Sequence, residues 1–448
     1  MDISLVSNSG VENITGGGFM KLGVNLIVAL IIFTTTSMFG IVSPSAAQPK
    51  QQKFTEWGWP LPYEKVSDAS INWLKQKGWW PLKLGYQIDC LPFLAVRKGL
   101  LRARGIEAEA IPFLAGPPML EAFVAGQVHT VNAGNFPTTT MIDKGFQMVG
   151  LAHSSVGGRH ATLVPLGSPI TKLTDLKAEK LGRPAIVGIP VGTSAEFYFR
   201  TSCKVQGIEV GKDVILKDMS GPDIMLLPKG VDAFAIWEPT VHYLTSSLKK
   251  TKIIDVDWPY MTYLGYLSIR RELLEVPDVV QALADAYCEA NLLMRYDING
   301  VTKLVKAEHV IQKIFPWETL IYLDSLYTYY KPTYLYIYPE FEAKALSGVA
   351  KFLSETGRTR TLVTSDRYKS YFRPDILGNT FKKLGWAIPS VPPWVPKTWK
   401  GEPDKPPYPP YYSWPLNAEL GKPVDPQPFP ERGDLVAPWY FKGKLYKP

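Results

Sequence analysis

The chain has 448 residues, of which 46% are hydrophobic and 20% charged, and its formal net charge is +8. That balance excludes an intrinsically disordered chain, and the length exceeds what one hydrophobic core serves, so two lobes are expected. The positive charge favours an anionic ligand or an acidic surface, but no basic cluster is interleaved with aromatics, which argues against a nucleic-acid-binding face.

Residues 1–47 read as a leader. Met20-Lys21 precedes an apolar run from Leu22 to Phe33, and a polar stretch ends in Ser45-Ala46-Ala47. A basic start, a core too short to span a bilayer comfortably and a small-residue end predict a signal peptide cleaved after Ala47, and hence a periplasmic protein. Residues 1–19 fit either a longer signal region or a true start at Met20. Three cysteines (Cys90, Cys203 and Cys288) leave at least one free thiol in an oxidising compartment. Cys203 and Cys288 read as buried thiols within helices.

Residues 48–81 form an extension rich in tryptophan and proline (Trp57, Trp59, Trp73, Trp79, Trp80), expected to strap its rings onto the first lobe. Residues 82–165 alternate short apolar runs with amphipathic stretches: strand 83–86, helix 93–102, strand 107–111, helix 118–125, and strands 130–132 and 147–153. Such alternation predicts parallel βαβ units, the first part of lobe one. Residues 166–262 repeat it as lobe two, with strand 185–189, helix 195–205, strand 214–218 and strand 231–236. Residues 263–385 return through a strand at 263–269 and complete lobe one with helices over 279–296, 301–314 and 342–356. Passages between the lobes near 163–167 and 261–267 are expected to form a hinge. The tyrosines from Tyr327 to Tyr338, broken by Pro332 and Pro339, read as packing or interface surface. Residues 386–448 are dense in proline and aromatics, including Lys405-Pro-Pro-Tyr-Pro-Pro-Tyr-Tyr412, and read as an extended arm lying along its own chain or a neighbouring subunit.

Four segments carry a recognisable pattern in a fixed order. They are Leu84-Gly-Tyr-Gln-Ile-Asp-Cys90 with Phe93-Leu-Ala-Val-Arg-Lys-Gly-Leu100, Val187-Gly-Ile-Pro-Val-Gly-Thr-Ser-Ala195, Lys229-Gly-Val-Asp-Ala-Phe-Ala-Ile-Trp-Glu-Pro239, and Tyr266-Leu-Ser-Ile-Arg-Arg-Glu-Leu-Leu-Glu-Val-Pro-Asp278. Through them the chain resembles the periplasmic solute-binding proteins of the nitrate, sulfonate and taurine ABC importers, a family that also includes thiamine-pyrimidine-precursor binders. The resemblance implies a type II two-lobe α/β fold, each lobe a mostly parallel sheet flanked by helices. It further implies capture of a small anionic solute (sulfonate, nitrate or carboxylate) by hinge closure, delivery to an inner-membrane permease and its ATPase, and no cofactor.

Ligands of such folds bind at the carboxyl ends of the strands. Gln87, Asp89 and Cys90 follow the first strand. Asn132 and Asn135 belong to the loop after the third, where the family carries a Gly-Asp pair; asparagine there removes a charge that would repel an anion, although turn chemistry explains it equally well. His153, Ser154 and Arg159 stand before the first crossing, and Arg159 is the preferred counter-charge because its fork matches an oxyanion; a solvated surface arginine is the plain alternative. Gly192, Thr193 and Ser194 open a helix, where hydroxyls, N–H groups and the dipole make either an anion site or an ordinary cap. Trp237 can cover an apolar ligand body, and Glu238 can hold an amine or cap the helix that follows.

Two other readings share this cleft. In one, a ligand-sensing protein presents its closed form to a membrane receptor through the arm. In the other, an enzyme uses Cys90, because a desulfinase of the same fold carries its nucleophilic cysteine in the matching loop. The histidine and arginine partners of that desulfinase fall near Glu121 and Val131, so neither stands at its place; His129, His153 or Arg159 would have to substitute. Five histidines without ligand spacing on a helix predict no metal site, and no phosphate-cradling loop or serine nucleophile elbow is present.

Overall fold

The structure, a computed structural model, describes residues 52–157, 159–359, 364–409 and 422–448. The leader, its cleavage site and the Tyr411-Tyr412 part of the arm lie outside the described residues. Among the described residues no helix is long and apolar enough to cross a membrane.

Two five-stranded sheets organise the chain. The first runs in the order Ala108–Pro112, Leu82–Tyr86, Thr130–Gly134, Leu264–Arg270, Met148–Val156. The second runs Thr251–Val256, His160–Pro165, Ala233–Trp237, Ala185–Ile189, Val214–Asp218. In each, one strand opposes the rest: Leu264–Arg270 is antiparallel to both its neighbours, and so is His160–Pro165. Each opposed strand is the one by which the chain enters that sheet from the other, so the sheets are mixed, with a single reversal apiece.

Both faces of each sheet are covered. Leu84, Leu267 and Ile269 pack beneath the helices Cys90–Arg97 and Pro277–Tyr296, whereas Val131, Ala133 and Tyr266 face Gly116–Val124 and Pro339–Glu355. Burial on both sides is why these strands read as continuous apolar runs. The second sheet buries Ala185, Val187 and Ile189 against the helix Ser194–Val205, and Leu163, Phe234 and Ile236 on its other face.

The strands at 185–189 and 214–218 fall where the sequence places them, and three features differ. The helix expected over 93–102 is two helices, Cys90–Arg97 and Leu100–Ala103, parted at Gly99 with φ 68°, a left-handed turn that glycine adopts without steric cost. The first crossing is not at 163–167 but between Val156 and His160, because His160–Pro165 already pairs with the second sheet. A helix at Trp317–Tyr329, absent from the sequence reading, is buried continuously from Thr319 to Leu326; covered on every side, it lacks the one-sided apolar stripe by which helices are recognised.

The extension packs on lobe one around a buried ion pair. Arg104 and Glu289 lie 2.7 Å apart, with side chains 2% and 0% exposed. Trp57 Nε1 and the Tyr63 hydroxyl each donate to Glu289 at 2.8 Å, and the Arg104 guanidinium stacks on Trp59 at 4.5 Å. The arm also lies on its own chain. Trp439 packs edge-on against Trp386 and donates through Nε1 to the Gly58 carbonyl at 2.9 Å, and the hairpin Trp439–Phe441 with Lys444–Tyr446 closes the terminus. We expect Glu289→Gln to lower unfolding stability by about 3–5 kcal/mol, because it strands a buried guanidinium; urea denaturation reads this directly.

Candidate functional site

The carboxyl ends of five parallel-running strands meet in a cavity of about 140 Å³ between the two sheets. Nearly all the foreseen residues line it: Gln87, Asp89, Asn132, His153 and Ser154 from lobe one, Arg159 from the crossing, and Gly192, Thr193, Ser194, Trp237 and Glu238 from lobe two.

On the lobe-one wall, Asp89 caps the helix Cys90–Arg97 by accepting the Leu91 N–H at 3.1 Å, and it also accepts from Asn132 Nδ2 and, at 3.3 Å, the Tyr287 hydroxyl. Burial pushes its carboxyl up to about 6, against the pull of these donors and Ser154. Asn132 is not in a loop: the strand continues through Gly134, so its side chain is fixed, donating also to Tyr287 at 2.8 Å. Gln87 donates to the Asn132 carbonyl at 3.0 Å. Gly134 is needed for close approach, since a Cβ there would meet the Tyr263 ring at 2.7 Å.

On the lobe-two wall, the turn before Ser194–Val205 uses most of its own donors. Gly192 N–H donates to Glu196 at 2.8 Å, and Thr193 Oγ1 donates to the Pro190 carbonyl at 2.6 Å. What this end offers a ligand is therefore the first-turn N–H groups of the helix and the Ser194 hydroxyl. Ser194 Oγ lies 2.8 Å from His160 Nε2, and His160 Nδ1 lies 3.2 Å from Asp257 Oδ2. Glu238 accepts the His242 N–H at 2.8 Å, which caps the helix that follows, and faces Arg159 at 3.9 Å. Burial raises Glu238 to about 7, with Arg159 pulling the other way. The Arg159 guanidinium also stacks on Tyr322 at 5.1 Å.

The third wall comes from the tyrosine run that the sequence reads as packing or interface surface. Leu323, Leu326, Tyr327, Tyr330 and Tyr334 line the cavity; Tyr327 donates to the Ile88 carbonyl at 3.1 Å, and Tyr330 stacks on Tyr334 at 4.6 Å. The spacing of three and then four residues among those tyrosines was the available signal. His160 lies just past the outward crossing, which the sequence reading set several residues too late, and Tyr263 lies within the expected return passage at 261–267 but was not foreseen as a wall residue.

Two candidates need correction, and a third is engaged elsewhere. Cys90 does not reach the cavity: its thiol is fully buried, donates to Asp324 Oδ1 at 3.1 Å and accepts from Gln312 Nε2 at 3.1 Å. Burial and the Asp324 carboxyl push its pKa well up, the opposite of what a nucleophilic thiolate requires. Asn135 opens the helix Asn135–Asp143 instead of filling a loop, and its Nδ2 ties down the Thr262 carbonyl at 2.6 Å. His153 borders the cavity, but its Nε2 lies 2.9 Å from Glu342 Oε1 and its ring packs on Trp394.

No described sequence family matches the chain. A candidate binding protein of Brucella abortus (strain 2308) is 26% identical over 219 residues, 47% of this chain and 66% of its own length, and a Brucella suis counterpart matches to the same extent. The chain thus spans just under two-thirds of these curated relatives. Among solved structures, the alkanesulfonate-binding protein SsuA of Xanthomonas axonopodis pv. citri, bound to MOPS, superposes over 64% of this chain and 96% of its own, with TM-score 0.53 and 20% identity. The nitrate-binding protein NrtA of Synechocystis PCC 6803 superposes over 69% and 91%, with TM-score 0.57 and 16% identity. The chain has the fold of periplasmic solute-binding proteins. This is the fold the four motifs imply, and the cavity of this binding-protein fold occupies the cleft between its two sheets.

Asp324, like Glu238, is raised to about 7 by burial, and Asp89 to about 6. A carboxyl whose folded pKa exceeds its unfolded value contributes stability at low pH that is lost as the pH rises through the folded value. These carboxyls therefore destabilise the fold between about pH 4 and pH 7, whereas His129, His242 and His309, lowered by burial to about 4, 4 and 3, act with the opposite sign over much of that range. Asp324→Asn should make the melting temperature rise more steeply with pH there than in the parent protein, as read in calorimetric scans. Native protein should also resist iodoacetamide at all three buried thiols, and react once unfolded.

Proposed function

We propose that the protein is the periplasmic substrate-binding component of an ABC-type importer, and that its lobes close about a small organic anion for delivery to the membrane permease and its ATPase. The observation that carries this reading is the convergence, in one cleft, of the Arg159 guanidinium and the N-terminus of the helix Ser194–Val205 with a wall of Trp237, Tyr263, Tyr327, Tyr330 and Tyr334. A guanidinium and first-turn N–H groups suit a sulfonate or carboxylate, and the aromatic wall suits an apolar body better than it suits nitrate. Among the solved structures with this fold, the one named for alkanesulfonate binding supports an organic anion.

A thermal-shift screen of the purified protein tests it, with nitrate, alkyl and aromatic sulfonates, aromatic carboxylates and pyrimidines as ligands and product analysis of every hit. An aromatic or alkyl sulfonate or carboxylate should raise the melting temperature by mass action and be recovered unchanged. Arg159→Gln should weaken that binding by about 10- to 100-fold, the worth of a charge-assisted hydrogen bond. A screen in which no anion stabilises the protein, or in which the variant binds as well as the parent, sinks the reading.

A further inference from the structure

We propose that His160, acting through Ser194, couples anion capture at this end of the cavity to the uptake of one proton. The inference rests on the anion-binding reading above and concerns the hydrogen-bond polarity of the same site. Asp257 Oδ2 accepts the His160 backbone N–H at 2.9 Å and lies 3.2 Å from His160 Nδ1. A carboxylate only accepts, so the ring hydrogen sits on Nδ1 and the neutral imidazole presents a bare Nε2. Ser194 Oγ, 2.8 Å away, must then spend its hydrogen on Nε2. Its lone pairs are left facing the cavity, where they repel the oxygens of an anion and favour a ligand donor. Protonation reverses this polarity. The imidazolium Nε2–H donates to Ser194, whose own hydrogen becomes available to an anion beside Arg159. Anion binding and protonation therefore strengthen one another, and the coupling is reciprocal.

The surroundings of His160 contain charges of both signs. Asp257, with Asp255 in electrostatic contact behind it, is the acidic neighbour of the ring. Arg159, the preceding residue, is the basic one and faces Glu238 at 3.9 Å. Tyr198 from the helix Ser194–Val205, Trp237 from the neighbouring strand and Tyr263 from the return crossing pack against the ring, at 6.2, 6.1 and 5.4 Å. His160 is 2% exposed and borders the cavity beside Ser194, its hydrogen-bond partner there.

The test is calorimetric titration of the full protein with benzenesulfonate, ethanesulfonate and nitrate between about pH 5.5 and 8.5. Each titration uses two buffers of different ionisation enthalpy and runs beside His160→Gln and Ser194→Ala. The expected result is uptake of about one proton per anion on the alkaline side, with affinity strengthening up to about tenfold per pH unit of acidification there. Both effects should disappear in either variant. Binding with no proton exchange and a flat pH profile overturns the coupling while the anion reading stands. Coupling that persists in Ser194→Ala places the proton elsewhere and overturns the assignment to this pair. If none of the three anions binds at any pH, the anion reading itself falls and the coupling with it.

Discussion

The cavity depends on the chain passing twice between its sheets at nearly the same point. The outward crossing, at 157–159, and the return, at 257–263, are zipped together: Gly157 donates to the Tyr263 carbonyl at 2.9 Å, Asp257 to the His160 carbonyl at 3.0 Å, and His160 back to the Asp257 carboxylate at 2.9 Å. Arg159 takes φ 44° within this pair, a left-handed conformation that costs a non-glycine residue about 1–2 kcal/mol. It is held there because Val156 before it and His160 after it are fixed in different sheets. The same few residues thus join the sheets and line the cavity, so any change in the angle between the sheets would change the disposition of Arg159, His160 and Tyr263.

The cavity is also internally compensated. Arg159 faces Glu238, His160 faces Asp257, and Lys331 at the rim is engaged by Glu431 and Asp434. The buried carboxyls Asp89 and Glu238 are shifted upward because desolvation outweighs their donors. Such a site does not attract any passing anion by net charge. Under the proposed reading, selectivity rests on oxygens that reach the guanidinium fork and the helix N–H groups while the ligand's body displaces water from the tyrosines. Glu196, held low despite its burial by Arg358, the Gly192 N–H and Arg200, places a fixed negative charge in the first turn of that helix and tempers its pull on anions.

The solved relatives are matched over nearly their whole length, yet they account for 64% to 69% of this chain. Much of the remainder buttresses the shared core. The extension covers the buried Arg104–Glu289 pair, and the arm runs behind the aromatic wall. Gln427 donates to the Tyr329 carbonyl at 2.7 Å and accepts from Arg295 at 2.8 Å, and Val424 packs on Tyr322 and Leu326. The wall that closes the cavity is therefore pressed inward by the carboxyl terminus of the same chain. Side chains such as Tyr327 and Tyr330 are thereby fixed before a ligand arrives, which lowers the ordering cost of binding.

Local sequence determined what depends on local rules. Alternating apolar runs and helical stretches gave the βαβ order, and strand-ending residues such as Gln87, Ser194 and Trp237 were placed at the ligand edge because parallel strands leave their carboxyl ends on one side. Tertiary structure decided what depends on neighbours remote in the chain. The crossing lies at Arg159 because His160–Pro165 finds a partner in Ala233–Trp237, a pairing without local signature. Cys90 is turned away from the cavity because Asp324, far along the chain, accepts its hydrogen. The helix Trp317–Tyr329 is hard to read because the helices Pro277–Tyr296 and Ile298–Glu308 and Val424 of the arm pack around it, erasing the periodic contrast between core and solvent that makes a helix legible.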